Sequence, residues 1–244
     1  MNGQIRLTGM VLSSMPVGEF DRRIVLLTKE RGKISAFARG ARRPKSQLVA
    51  ATNPFVSGGF DAFEGRDSYT IHSADIQNYF DELTADLELV WYGYYFLEIA
   101  EYFSLENVDE TERLILLYQA FRALLSGSIP IELIRCIYEF KTLVINGDYP
   151  NVFHCGGCDS DKELYYLSLD RQSVICRNCH ATYGGAPVSA SVLYAMQYIA
   201  ATPAAKLFSF TMKPDAYREL MQWIREYYRR YVSHEFKSEA FLDL

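Results

Sequence analysis

Two repeats run along the chain, and the change between them falls near residue 80. Ile5, Leu7, Gly9 and Val11 share one face of an alternating stretch, the two-residue repeat of a half-buried strand. Asp21–Thr28 contains the apolar run Ile24-Val25-Leu26-Leu27, and Lys29-Glu30-Arg31-Gly32 follows as a turn with glycine where positive φ is tolerated. Lys33–Arg39 alternates again, with Ile34, Ala36 and Ala38 on one face and Lys33, Ser35, Phe37 and Arg39 on the other. After a loop through Pro44, Phe55–Glu64 and Ser68–Ala74 flank Gly65-Arg66-Asp67 as a hairpin. Five short strands suit a small closed barrel. The OB-fold is the five-stranded case, and an SH3-like barrel fits the count almost as well.

From Thr84 the spacing becomes helical. Leu87, Val90, Trp91, Tyr94, Tyr95 and Ile99 recur on one stripe, and Leu114, Leu117, Phe121 and Leu125 on the next. Pro130 opens a third helix at the first-turn position proline favours, running to about Val144. Ser189–Ala201 and Lys213–Val232 predict two more. The tyrosines Tyr92, Tyr94 and Tyr95 read as buried core rather than a stacking platform. The predicted class is α+β and multidomain: a five-stranded OB-fold barrel over 1–80, a helical domain over 81–152 and 186–244, and a zinc ribbon inserted at 153–185.

Composition narrows this little, and charge narrows it more. The 244 residues are 49% hydrophobic, too apolar for a disordered chain. Leu89–Leu97, the longest apolar stretch, is closed by Glu88 and Glu98 and falls short of the roughly 18 residues a membrane span needs. The start, through Arg6, has no signal-peptide pattern, so the expected location is the cytoplasm, in association with the nucleoid and not with a membrane. Net charge is -5, yet residues 1–60 carry +7 and the remainder -12. A basic segment on an acidic body points to a polyanion on one side.

Four of the five cysteines form Cys155-Gly156-Gly157-Cys158, seventeen residues, then Cys176-Arg177-Asn178-Cys179. This spacing is that of a structural zinc site, in which two thiolates three residues apart grip one ion from a tight turn. Glu163–Leu169 and Ser173–Ile175 read as strands between the pairs, which predicts two knuckles on two hairpins. Four sulfurs leave no open coordination position, so one structural Zn2+ per chain is expected. Cys176-x-x-Cys179-His180 is also literally a haem-attachment motif, and each C-x-x-C a redox motif, but the second pair and the missing βαβ setting argue against both. His154 and His180 abut the pairs and stay open as substitutes for a sulfur. Cys136 falls in a helical stripe and reads as a small core residue.

Arg39-Gly40-Ala41-Arg42-Arg43-Pro44-Lys45 places four cations in seven residues after a strand, with Phe37 interleaved on the same face as Lys33 and Arg39. Cations that follow phosphates and rings that stack on bases suit single-stranded nucleic acid. The competing reading is a solvated edge that blocks strand pairing. None of the four histidines sits in a nucleophile or ligand motif, and no phosphate loop is present; Asp61, Glu64 and Asp67 read as solvated turn acids. The chain does not read as an enzyme. Alternatives from other classes are a zinc-ribbon nucleic-acid-processing enzyme, an RNA-binding factor and a structural adaptor.

The order barrel, helices, cysteine pairs, helices resembles the RecO family of bacterial recombination mediators. The resemblance is carried by Gly9-Met10-Val11-Leu12, Glu19-Phe20-Asp21-Arg22-Arg23-Ile24-Val25 with Thr28, Gly32-Lys33, Ala38 to Ser46 and the four cysteines. It implies a barrel that binds single- and double-stranded DNA, annealing of complementary strands, and action with RecR to load RecA onto DNA coated by single-stranded DNA-binding protein. Carried over by position, the expected DNA contacts are Arg22, Arg23, Lys33, Arg39, Arg42, Arg43 and Lys45 beside Phe37, and the metal ligands are Cys155, Cys158, Cys176 and Cys179. Arg218, Arg225 and Arg229 fall within about 40° on the last long helix; the preferred reading is an ordinary solvated helix face, and the alternative is a stripe for the acidic tail that the resemblance implies for single-stranded DNA-binding protein. Other basic positions of the helical body, such as Arg122, Arg135 and Lys141, are the alternatives for that tail.

Overall fold

The structure, a computed structural model, describes residues 3–66 and 68–242. It divides into two compact units. One holds the residues up to Leu125 together with those from Phe236 onward, and the other is Ser126–Glu235.

The first unit begins with five strands: β1 (Gln4–Val17), β2 (Asp21–Thr28), β3 (Gly32–Ala38), β4 (Ser57–Glu64) and β5 (Tyr69–Asn78). They close as β1-β2-β3-β5-β4, all antiparallel except the β3–β5 pair, an OB-fold barrel and not an SH3-like one. β1 runs beyond the predicted Val11. Its first half pairs with β4 and its second half with β2, with a bulge between Val11 and Ser13 where it turns the corner. A Cβ on Gly9 would lie 2.3 Å from the Leu27 carbonyl oxygen, so only glycine fits there. The alternation carries the predicted faces: Leu7, Val11, Ile24, Leu26, Ile34, Ala36, Phe60 and Ile71 fill the interior.

Three of the helices follow or interrupt the strands of this unit: α1 (Leu48–Ala51), α2 (Asp81–Thr84) and α3 (Leu87–Phe103). α4 (Thr111–Ser126) ends at the unit boundary. Asp86 caps α3 by accepting the N–H groups of Glu88 and Leu89. Tyr92 and Tyr95, three residues apart, are buried as expected, but Tyr94 is 45% exposed because it projects from the other side of α3. The chain returns to this unit at Phe236, whose ring meets Tyr95 and Tyr102 edge-on. Glu98 then accepts hydrogen bonds from the N–H groups of Lys237 and Ser238, and Phe241 stacks on Trp91.

The second unit contains α5 (Ile131–Asn146), the hairpin β6 (Leu164–Ser168) and β7 (Ser173–Cys176), α6 (Arg177–Tyr183), β8 (Ala186–Pro187), α7 (Ala190–Ala201) and α8 (Pro214–Tyr231). Pro130 is the cap just before α5 rather than a first-turn residue. α5 is buried almost throughout, and Gly147 ends it in the left-handed conformation. Its Arg135 and Glu139 form an ion pair at 2.7 Å with both side chains buried, and Lys141 is buried too. Arg135 and Lys141 are therefore core residues and not surface positions for a partner; Arg122 on α4 is exposed. Among the described residues no helix is long and apolar enough to cross a membrane.

Candidate nucleic-acid interface and metal centre

The arginine-rich loop is built from a chain of turns nailed to the barrel. Gly40, with φ of 67°, donates its N–H to Asp21 Oδ1 at 2.7 Å, and Ala41 is buried in the barrel core. The Arg42 N–H reaches the Phe20 carbonyl at 2.8 Å, and the Arg43 N–H reaches that of Gly40 at 3.0 Å. Arg39, Arg42, Arg43 and Lys45 are thereby left exposed on a rigid support. The Arg43 guanidinium lies 5.0 Å over the ring of Phe20 in the β1–β2 loop, and Arg42 Nη1 donates to the Gly18 carbonyl. Phe20 was not among the predicted site residues. The signal for it was an aromatic side chain in a turn next to charge, where burial cannot account for it.

Phe37 lies on the outer face of β3, half-buried, directly across from Arg23 on β2. Arg23 donates through Nε to Ser35 Oγ at 2.8 Å, which fixes its stem along the same face. Two other predicted contacts are placed differently. Arg22 Nη1 donates to the Val49 carbonyl, Thr52 Oγ1 and Asn53 Oδ1 at 2.7 to 3.1 Å, bracing the segment that holds α1. Lys33 Nζ donates to the Glu101 carbonyl at 2.5 Å, near the C-terminal end of α3, where a cation also meets the helix dipole. Six cations, Arg22, Arg23, Arg39, Arg42, Arg43 and Lys45, make no ion pair with a carboxylate among the described residues. Elsewhere on the barrel the opposite holds. Asp61 bonds to Arg6 at 2.8 Å and to Ser73 at 2.7 Å, and Glu64 to Arg31 and Tyr69, so these two acids are not the solvated turn groups the sequence suggested. Asp67 lies outside the described residues.

The four cysteines converge. Their Sγ atoms all lie within 4.8 Å of one another, with Cys158 and Cys176 at 3.8 Å. A tetrahedron of sulfurs around one ion with bonds of about 2.3 Å has edges of about 3.8 Å, so the group could hold a metal ion. Neither histidine joins it. His180 stacks on Tyr166 with centroids 3.6 Å apart, and His154 Nδ1 lies 3.4 Å from the Asp159 carbonyl. The frame also differs from the predicted pair of hairpins: only the β6–β7 hairpin forms, and the second pair spans the end of β7 and the first turn of α6. A Cβ on Gly157 would meet the Tyr183 ring at 2.4 Å, so this glycine serves close approach. Burial raises the Cys155 thiol, but the N–H groups of Cys176, Gly157 and Cys158 outweigh it and hold the group at about 6. Cys179 is pushed up to about 12, first by its hydrogen bond with Cys158 and then by burial. A cation held by the four sulfurs would be bound by thiolates, so its binding would release the protons of the remaining thiols. Cys136 is fully buried in the second unit, as expected.

On α8, Arg218, Arg225 and Arg229 are exposed while Leu220, Ile224 and Tyr227 are buried, the two arcs expected from the helical period. The stripe is not bare charge. Arg218 pairs with Asp215 at 3.2 Å, and Arg229 pairs with Glu226, which Arg230 also meets.

Comparison with known proteins bears on both sites. The family model described as Recombination protein O N terminal matches residues 1–80, and the one described as Recombination protein O C terminal matches residues 84–240. A DNA repair protein RecO of Acetivibrio thermocellus is 31% identical over 242 residues, covering 98% of this chain and 96% of that protein. A Bacillus subtilis protein of the same description is 28% identical over 239 residues, covering 96% and 92%. With both family models together spanning the barrel, the helices and the cysteine cluster, the chain belongs to the Recombination protein O family of DNA repair proteins.

Proposed function

We propose that this protein is a recombination mediator that binds single- and double-stranded DNA through the barrel, anneals complementary strands, and acts with RecR to load RecA onto DNA coated by single-stranded DNA-binding protein. The observation that carries the reading is the set of cations on and beside β2 and β3 with no carboxylate partner among the described residues, in a chain of this family. Cations so placed gain from displacing the counterions of a phosphate backbone. Neutralising two strands on one surface lowers their mutual repulsion, which is what annealing requires, and no nucleotide needs to be hydrolysed. Arg23, Arg39, Arg42, Arg43 and Lys45 take phosphates in this reading. Phe37 and Phe20 offer ring faces, while Arg22 and Lys33 brace the surface from behind.

The cysteine cluster is proposed to hold one Zn2+ in a structural role. Four thiols with no histidine or carboxylate suit zinc over harder ions, and a closed set of four leaves no position for a reacting water. The exposed arginines of α8 are the proposed receiver for the acidic tail of single-stranded DNA-binding protein, and the proposed location is the cytoplasm. The test is annealing of complementary oligonucleotides without nucleotide, bare and then coated with the organism's own single-strand binding protein. Annealing in both conditions is expected. Absence of annealing with bare strands overturns the reading, and turnover abolished by a single acidic substitution would favour an enzyme.

A further inference from the structure

The strand registers line up side chains in one transverse row across the outside of the barrel. Arg23 faces Phe37, Phe37 faces Thr70, Thr70 faces Phe63, and Phe63 faces Gln4. Opposed residues on paired strands project to the same side of a sheet. The alternate positions Ala36, Ala38, Ala62 and Ile71 fill the core, so this row points outward. It begins with a cation that has no carboxylate partner among the described residues, and it carries a second aromatic two strands, roughly 10 Å, beyond Phe37.

Phe63 is 44% exposed. The exposed ring of His72 lies against it, centroids 5.0 Å apart and planes tilted by 37°, and His72 Nε2 is 3.3 Å from Gln4 Nε2. Two flat rings are thus set beside each other, Phe63 in register on β4 and His72 at the bulge where the β4–β5 register shifts between Asp61 and Ala62, with a hydrogen bond holding His72 in place. The loop that follows β4 carries the exposed Arg66.

We propose that Phe63 and His72 form a second base-stacking platform, which together with Phe37 gives the barrel its preference for single strands over duplex. The inference rests on the DNA-binding reading above and assigns it a specificity. Phosphates are available on both forms of DNA, so the cations do not discriminate between them. Ring faces reward only bases that have left the duplex stack. A strand laid along the row meets charge at Arg23 and aromatic faces at two separated points.

The experiment compares the wild type with Phe63→Ala, His72→Ala and Phe63→Trp, using a single-stranded oligonucleotide and a duplex of the same length at fixed salt. Phe63→Ala is expected to weaken single-strand binding by about tenfold or more while duplex binding stays within about twofold. His72→Ala is expected to shift affinity in the same direction and by less. Phe63→Trp is expected to retain single-strand affinity and to show quenched emission on binding, above any change from the two native tryptophans. Equal losses for both forms of DNA, or a Phe63→Trp variant that binds single strands without added quenching, would overturn the platform and leave DNA binding standing. A wild type that binds neither form would instead overturn the DNA-binding reading itself. Should the alanine variant melt early, Phe63→Leu supplies an apolar side chain without a ring face, and the same ratio of affinities decides.

Discussion

Asp21 Oδ1 accepts a hydrogen bond from the backbone N–H of Gly40 at 2.7 Å. The acidic side chain next to Arg22 and Arg23 is therefore engaged with the turn that presents Arg39 to Lys45, and among the described residues it forms no ion pair with any of these cations. Asp21→Ala should destabilise the protein by about 1–2 kcal/mol and weaken DNA binding by loosening the turn. Asp21→Asn keeps an acceptor and removes a charge, so it should bind DNA at least as tightly as wild type. Denaturant melts and fluorescence anisotropy separate the two effects.

Replacing Arg39, Arg42 and Arg43 together with alanine should weaken binding of any sequence and flatten its salt dependence. Each lost phosphate contact lowers the slope for a single strand by roughly 0.7. Titrations across a series of salt concentrations measure this. An unchanged slope, with annealing intact, would remove the loop from the interface.

Arg22 and Lys33 should behave in the opposite way. Arg22→Ala removes three hydrogen bonds from the α1 segment and is expected to cost about 1–2 kcal/mol of stability. Lys33→Ala removes the bond to the Glu101 carbonyl and should also lower the melting temperature. Neither should change the salt slope by the full increment of a lost phosphate contact.

Purified protein should contain close to one zinc per chain by elemental analysis and show no haem absorbance. Cys176→Ser should lower the melting temperature more than it lowers DNA affinity, because the cluster holds the β6–β7 hairpin and α6 together rather than the basic loop. A metal-free protein that melts like the loaded one would contradict the structural role.

The hydrogen bond from Arg6, and then that from Ser73, hold the Asp61 carboxyl below its ordinary value. A carboxyl lowered on folding contributes stability above its unfolded value, about 3.9, and the contribution is lost as pH falls through the folded value. Asp61→Asn should therefore be less stable than wild type near neutrality, and the gap should close in acid below that range. Melting temperatures taken from about pH 7 down to about pH 2 give the comparison.

The barrel was legible because alternation is a local signal, and the faces of β3 follow from it residue by residue. Ser13 to Val17 has no such alternation, so the second half of β1 shows only once β2 is there to pair with it. Tyr94 stands between two buried tyrosines in sequence yet on another side of α3, and three neighbouring tyrosines mask a three-residue period. The four cysteines were legible from spacing alone. The helix under the second pair was not, since Arg177-Asn178-Cys179-His180 is too short to carry a period. The tasks of Arg22 and Lys33 depend on segments 27 and 68 residues away, which no local pattern encodes. The row from Arg23 to Phe63 likewise exists only through the β3–β5 and β5–β4 registers.

Residues 236 to 241 pack on α3 through Glu98, Tyr95 and Trp91, although more than a hundred residues of the other unit lie between. On the ribosome this sets an order of events. The barrel and α3 emerge early but wait for their strap until all of Ser126–Glu235 has been translated. During that interval the Tyr95 and Trp91 side of α3 stands uncovered, and a chaperone has a face to hold. Slow translation of the middle of the chain would lengthen the exposure, whereas swift closure by Phe236 would end it. A nascent chain halted after Glu235 is thus the species in which this face is open to a protease, and the short stretch from Phe236 to Phe241 is what should close the cut.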